Sequence, residues 1–160
     1  MKSEEYNKLR DYALKLLVFR PRSQKEMIRK LSDYCRKKCY STLLRDQLIK
    51  DLQSQNLVND EEFAKWWIEQ RRDFRPKGII VLRQELLQKG ISKEILDEVL
   101  LKESAEKEFE VVFSIVNKKI DSYKNLPKQK FYRKISGLLL RRGFAWDTIN
   151  KVIDSFEKKS

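Results

Sequence analysis

The chain has 160 residues, enough for one ordinary domain or a short array of small units, with 41% apolar and 38% charged residues. Only 4 Gly and 3 Pro punctuate it, too few for the many tight turns of an all-β fold. The net charge of +12 favours polyanions such as nucleic acid or an anionic membrane surface. It is unevenly spread: +7 over 1–56, −1 over 57–103 and +6 over 104–160. No apolar run approaches the roughly 18 residues of a membrane span, and the N-terminal MKSEEYNKLRDY lacks the apolar core of a signal peptide. Two cysteines without export signals read as reduced thiols, so the expected compartment is the cytoplasm.

In chain order, the first predicted helix runs from Tyr6 to Phe19, with Leu9, Tyr12, Ala13, Leu16 and Leu17 on one face. Pro21 ends it. Ser23-Gln24-Lys25-Glu26 then has the capping-box pattern, in which Ser accepts an orphan amide and Glu reaches back. Met27, Ile28 and Leu31 continue that helix until a polar stretch, Cys35–Tyr40, breaks the pattern. Ser41 or Thr42 can cap a third helix bearing Leu44, Leu48, Ile49 and Leu52.

The order then restarts. Asn59 can cap a helix striped by Phe63, Ala64, Trp67 and Ile68. Pro76 and Gly78 break it, and a helix with Ile79, Leu82 and Leu86 stops at Gly90. Ser92 caps another, with Ile95, Leu96, Val99 and Leu100. A third round follows: Phe109, Val112, Phe113 and Val116; then Pro127 opening a helix with Phe131, Ile135, Leu138 and Leu139 up to Gly143; then Trp146, Ile149, Val152, Ile153 and Phe156.

This is an internal repeat. LLQKGISKEILDEVL aligns without gaps on LLRRGFAWDTINKVI, Gly90 on Gly143 and Val99 on Val152. The first round fits less well. Placing Leu31 on Leu86 puts Cys35 where the glycine belongs. The expected fold is all-α: three tandem three-helix repeats over 1–56, 57–103 and 104–160, sharing apolar faces in an elongated, curved array.

On a helix from Phe63 to Phe74, Phe63, Trp67 and Phe74 share one arc, and Arg71 falls inside it. Trp67 is therefore expected in the core and Trp66 partly exposed. Arg20 holds the same place relative to Ala13 and Leu17. An arginine at the inward edge of a repeat reads either as a structural clamp to helix-end carbonyls or a carboxylate, or as a ligand-facing group. Arg72, Arg75 and Lys77 crowd a turn expected to face water. Arg22, Lys25 and Arg29 do so in the first repeat, and Lys128, Lys130, Arg133, Lys134, Arg141 and Arg142 in the third. Such clusters can neutralise phosphates or meet acidic protein surfaces, or remain a solvated charged face.

Asp60-Glu61-Glu62 reads as first-turn acids that offset the helix dipole. Cys35 and Cys39 stand four apart, but no His and no third Cys complete a zinc set. The absence of histidine removes the commonest general acid–base at neutral pH, and neither G-x-x-x-x-G-K-[ST] nor G-x-G-x-x-G occurs. The pattern is that of a non-enzymatic protein.

Leu57, Asp60, Phe63, Ala64, Trp67, Arg71, Gly78, Arg83, Glu85, Leu86, Gly90 and Ile91, with Arg20, Ser23, Glu26 and Leu31 before them, resemble the RecX family of RecA regulators. The resemblance implies an all-helical repeat protein without catalytic residues or cofactor. It implies a protein that lies in the groove of the RecA–DNA filament and lowers RecA activity, with single- or double-stranded DNA as a further partner. Candidate contact residues are Trp66 and the basic turn residues named above. Two alternatives are a DNA-binding helical module without filament specificity, using Arg141, Arg142 and Trp146, and a plain interaction scaffold. The first repeat departs from the family in having YCRKKCY where a glycine turn is usual.

Overall fold

A computed structural model describes residues 2–102 and 105–159. The repeat boundary expected between 103 and 104 lies outside the described residues. Among those residues the chain is all α-helix, without strands. The helices are α1 (Glu4–Phe19), α2 (Gln24–Lys38), α3 (Thr42–Ser54), α4 (Asp60–Asp73), α5 (Ile79–Gln88), α6 (Lys93–Leu101), α7 (Ala105–Tyr123), α8 (Lys128–Arg141) and α9 (Trp146–Lys159).

Their starts follow from side chains that accept orphan amides. Ser3 accepts from Tyr6 N–H, Ser41 from Leu43 N–H, and Asn59 from Glu62 N–H at 3.1 Å. Ser92 does the same for Ile95 N–H at 3.3 Å. The capping box at α2 is complete: Ser23 Oγ accepts from Glu26 N–H, and Glu26 Oε2 accepts from Ser23 N–H, both at 3.2 Å. Pro127 precedes α8, where its missing N–H costs no hydrogen bond.

The stops show where the first repeat was misaligned. Gly90 and Gly143 adopt φ of +86° and +85°, the left-handed turn that glycine enters without steric cost. In the first repeat Cys39, not Cys35, takes this conformation, with φ 59°. The amides of Tyr40, Ile91 and Phe144 then close the same bond, onto the carbonyls of Cys35, Leu86 and Leu139. Cys35 is therefore the equivalent of Leu86, and both are buried. The expected alignment was one helical turn out, because a four-residue slip keeps apolar residues on the same face. With Cys39 on Gly90, one offset of 51 also relates Ala13 to Ala64, Leu17 to Ile68, Arg20 to Arg71 and Leu48 to Val99. Two further expectations change. α2 continues through the polar stretch to Lys38, and Phe74 lies beyond the end of α4 and is 68% exposed.

The chain divides into two compact units: Met1–Trp67 with Leu86–Ile95, and Ile68–Glu85 with Leu96–Ser160. The first is built on Tyr6, Leu9, Ala13, Met27, Leu31, Cys35, Leu48 and Leu52, all buried. Each of its buried leucine and methionine side chains contributes on the order of 1.5–3 kcal/mol. The second is built on Val112, Val116, Ile135, Leu139, Phe144, Ile149 and Val152. There α7 packs on α9, with Phe113 stacked on Phe156 at 4.6 Å.

A recurring joint lies inside each unit. In the first, Ser23 at the head of α2 donates its hydroxyl to Lys89 O at 2.7 Å, just before the Gly90 turn. In the second, Gly78 at the head of α5 donates its amide to Arg142 O at 2.7 Å, just before the Gly143 turn. Both joints are close. A Cβ on Gly90 would sit 2.6 Å from Lys25 Cβ, and one on Gly78 would overlap the Gly143 backbone.

Candidate functional site

In the first unit two basic residues converge on one carboxylate. Arg20 donates to both oxygens of Glu26, at 3.0 and 3.2 Å, and to Pro21 O at 2.9 Å. Lys89 donates to Glu26 Oε1 at 2.9 Å. Burial by itself would push the Glu26 carboxyl up, but the hydrogen bonds and charges of Arg20 and Lys89 outweigh it and hold the group at about 2. The same two cations face the tryptophans: Arg20 stands 6.0 Å from the Trp66 ring centre and Lys89 5.2 Å from that of Trp67. Trp67, expected in the core, is half-buried like Trp66, because it serves as a platform for a partly solvated ammonium.

Two neighbouring cations are also engaged. Arg22 donates to Leu16 O at 3.2 Å, near the end of α1, and Lys25 approaches Gln88 O at 3.4 Å. Arg29 is exposed. The acids at the start of α4 do more than offset a dipole. Asp60 accepts the Gln24 amide at 2.8 Å, and its burial pushes its carboxyl pKa up.

In the second unit Arg71 and Lys77 share Glu85, at 3.0 and 3.1 Å. Lys77, expected to face water, is half-buried in this pair. Arg75 is exposed, with its backbone in the left-handed region at φ 62°. Arg72 lines a hollow with Asp73, Glu110, Lys118, Lys119 and Arg142. Lys118 and Lys119 were not singled out from sequence. The available signal was their place on α7 beside an apolar stripe, which directs them to its flank.

α8 carries a row of open charge. Lys130, Arg133, Lys134 and Arg141 are all exposed, and Lys134 stands 5.7 Å from the Tyr123 ring centre. Arg142 is half-buried, and its carbonyl belongs to the joint with Gly78. Trp146 opens α9 and is 47% exposed. Glu108 accepts the Ala145 amide at 3.2 Å and so caps that helix from α7. The candidate residues therefore separate. Arg20, Arg22, Lys25, Arg71 and Lys77 are held by carboxylates or carbonyls of the fold. Arg29, Arg75, Arg133, Lys134 and Arg141 present charge to solvent, where phosphates or acidic side chains can meet it. Cys35 is buried and Cys39 exposed.

Two family models match the chain: RecX, second three-helix domain, over 59–100, and RecX, third three-helix domain, over 106–153. "Regulatory protein RecX" of Clostridium beijerinckii is 33% identical over 155 residues, covering 94% of this chain and 69% of that protein. That of Bacillus cytotoxicus is 27% identical over 157 residues, covering 98% of this chain and 57% of its own length. The chain thus spans little more than half of some curated relatives. Among solved structures, RecX from Lactobacillus salivarius superposes with a TM-score of 0.83 at 24% identity, covering 96% of this chain and 97% of that one. That likeness shows the shared fold of three-helix repeats.

Proposed function

This chain belongs to the RecX family of regulatory proteins, and on that footing we propose that it binds the RecA–DNA filament and lowers RecA activity without catalysing a reaction itself. The family match over both the second and third three-helix domains carries this reading. The distribution of charge supports it. Glu26 and Glu85 are each paired with two cations inside the fold, so those four cations are already engaged. Uncommitted positive charge lies on Arg29, on Arg75 and along α8, where it can meet filament phosphates or acidic protein patches.

The test is DNA-stimulated ATP hydrolysis by RecA from the same source, with this protein titrated in, alongside co-sedimentation with preformed filament. The protein should co-sediment and slow hydrolysis in a saturable way. Arg75→Glu combined with Arg141→Glu should weaken both effects, since each position reverses an exposed charge and neither is used by the fold. A filament that is neither bound nor slowed sinks the reading.

A further inference from the structure

α8 combines features that filament binding alone does not require. Between Lys128 and Arg142 it carries six basic residues and no acid. At 100° per residue, Lys130, Arg133, Lys134 and Arg141 lie along one side, and all four are exposed. Gly137 sits midway along that stripe. The nearest atom a Cβ there would meet is the Arg141 guanidinium, at 3.3 Å, so the helix surface is bare between Arg133 and Arg141. A glycine inside a helix costs roughly 0.5–1 kcal/mol relative to alanine, and what it offers in return is close approach to the backbone.

Beside the stripe, α8 and α9 form a groove whose lining includes Tyr132, Arg133, Ser136, Gly137, Leu140 and Trp146, together with Glu157, whose carboxylate is paired with Lys128 at 3.4 Å. Its aromatic wall is fixed. Tyr132 donates its hydroxyl to Asn150 at 2.8 Å and meets Trp146 edge to face, with centroids 6.4 Å apart and planes at 85°. Leu140 and Trp146 nonetheless remain 46% and 47% exposed. Ser136 on the groove floor is buried, and its Oγ has no hydrogen-bond partner among the described residues. An unpaired buried hydroxyl is uncommon, and it marks unused hydrogen-bonding capacity at this point.

We propose that this groove seats an unpaired nucleotide of single-stranded DNA, with the backbone along Arg133, Gly137 and Arg141 and the base against Trp146. A row of cations beside an exposed aromatic ring matches the alternation of phosphate and base in a single strand. A duplex meets only half of it, because paired bases are not available to stack. Arg133 and Arg141 are about 12 Å apart along the helix, room for three or four stacked nucleotides. An acidic peptide would satisfy the cations but leaves the ring face without a specific role. The choice of DNA as the strand rests on the filament reading above, while the preference for an unpaired base rests on the groove.

The experiment uses the full chain and a labelled twenty-nucleotide oligo(dT), read by anisotropy at low salt. Oligo(dT) should bind at least about tenfold more tightly than a blunt duplex of the same length. Trp146→Ala should weaken oligo(dT) binding about tenfold or more, as loss of one stacking platform does. Trp146→Phe keeps a ring and should retain most of the affinity while removing the tryptophan quenching that accompanies binding. Arg133→Glu with Arg141→Glu, both at exposed positions, should abolish binding with an unchanged melting curve. The proposal is overturned if the duplex binds equally well, if Trp146→Ala binds like the parent, or if a polyglutamate peptide displaces oligo(dT) as readily as unlabelled oligo(dT) does. Equal affinity for oligo(U) overturns the choice of DNA. RecA hydrolysis measured on the same variants separates the two readings, since filament inhibition can fail while oligo(dT) binding persists, and the reverse.

Discussion

Glu26→Gln isolates a charge whose contribution depends on pH. Gln at this position can still accept the Ser23 amide, so the capping box survives and only the anion between Arg20 and Lys89 is lost. Burial opposes the ionised Glu26, yet the two cations hold its carboxyl at about 2, against an ordinary value of 4.5. That gap corresponds to roughly 3 kcal/mol of native-state preference for the anion. The side chain is 7% exposed, so solvent screening takes little of it. Because the folded pKa is depressed, the stabilisation is fully present above pH 4.5 and is lost as pH falls from there toward 2. At pH 7 Glu26→Gln should therefore be about 2–3 kcal/mol less stable than the parent, and the two should converge as pH drops below 4.5. The assay is urea denaturation from pH 7 to pH 3, read by tryptophan fluorescence in a Trp146→Phe background. The remaining reporters, Trp66 and Trp67, both lie in the first unit, close to the cluster. A difference below 0.5 kcal/mol at pH 7, or one that does not change with pH, refutes the reasoning.

Cys39→Gly should stabilise the first unit by roughly 0.5–1 kcal/mol, since it places in the left-handed turn the residue the other two repeats already have, visible as a rise in melting temperature. Gly78→Ala should destabilise the second unit by about 2 kcal/mol or more, because the new methyl overlaps backbone at the Gly143 turn, and Gly90→Ala should likewise cost about 2 kcal/mol or more in the first, because its methyl meets Lys25 Cβ, fixed to the α2 backbone, at a φ of +86°. Thermal unfolding followed by circular dichroism measures both. A thiol reagent should modify exposed Cys39 rapidly, while Cys35, buried and with its thiol pushed up by that burial, should react only as the first unit opens in denaturant.

The helices were legible because caps and stripes agreed. Asn59, Ser92 and the Ser23–Glu26 box each sit one step before an apolar stripe, and Gly90 and Gly143 each sit just after one. Cys39 was not legible. Leu31 and Cys35 lie one turn apart on the same buried face, so the apolar pattern tolerates either alignment, and cysteine carries no preference for a left-handed backbone. Phe74 extended the aromatic arc on a helical wheel, but α4 ends one residue before it. At the candidate site, residue type identified the charges but not their neighbours. Lys77 reads like Arg75 until Glu85, eight residues on, is seen to reach it. Arg22 reads like Arg29 until the Leu16 carbonyl is placed. Such pairings depend on how helices pack, which spacing along one helix does not encode.

The joint between a helix head and a glycine turn gives the repeat a direction, as a monomer with two unlike ends has in a head-to-tail polymer. Ser23 and Gly78 supply a hydroxyl and an amide hydrogen, and the carbonyls of Lys89 and Arg142 receive them. The equivalent residue at the head of α8 is Pro127, which has neither. That end of the third repeat therefore lacks the donor hydrogen that closes the other two joints. Replacing Pro127 with serine restores the donor.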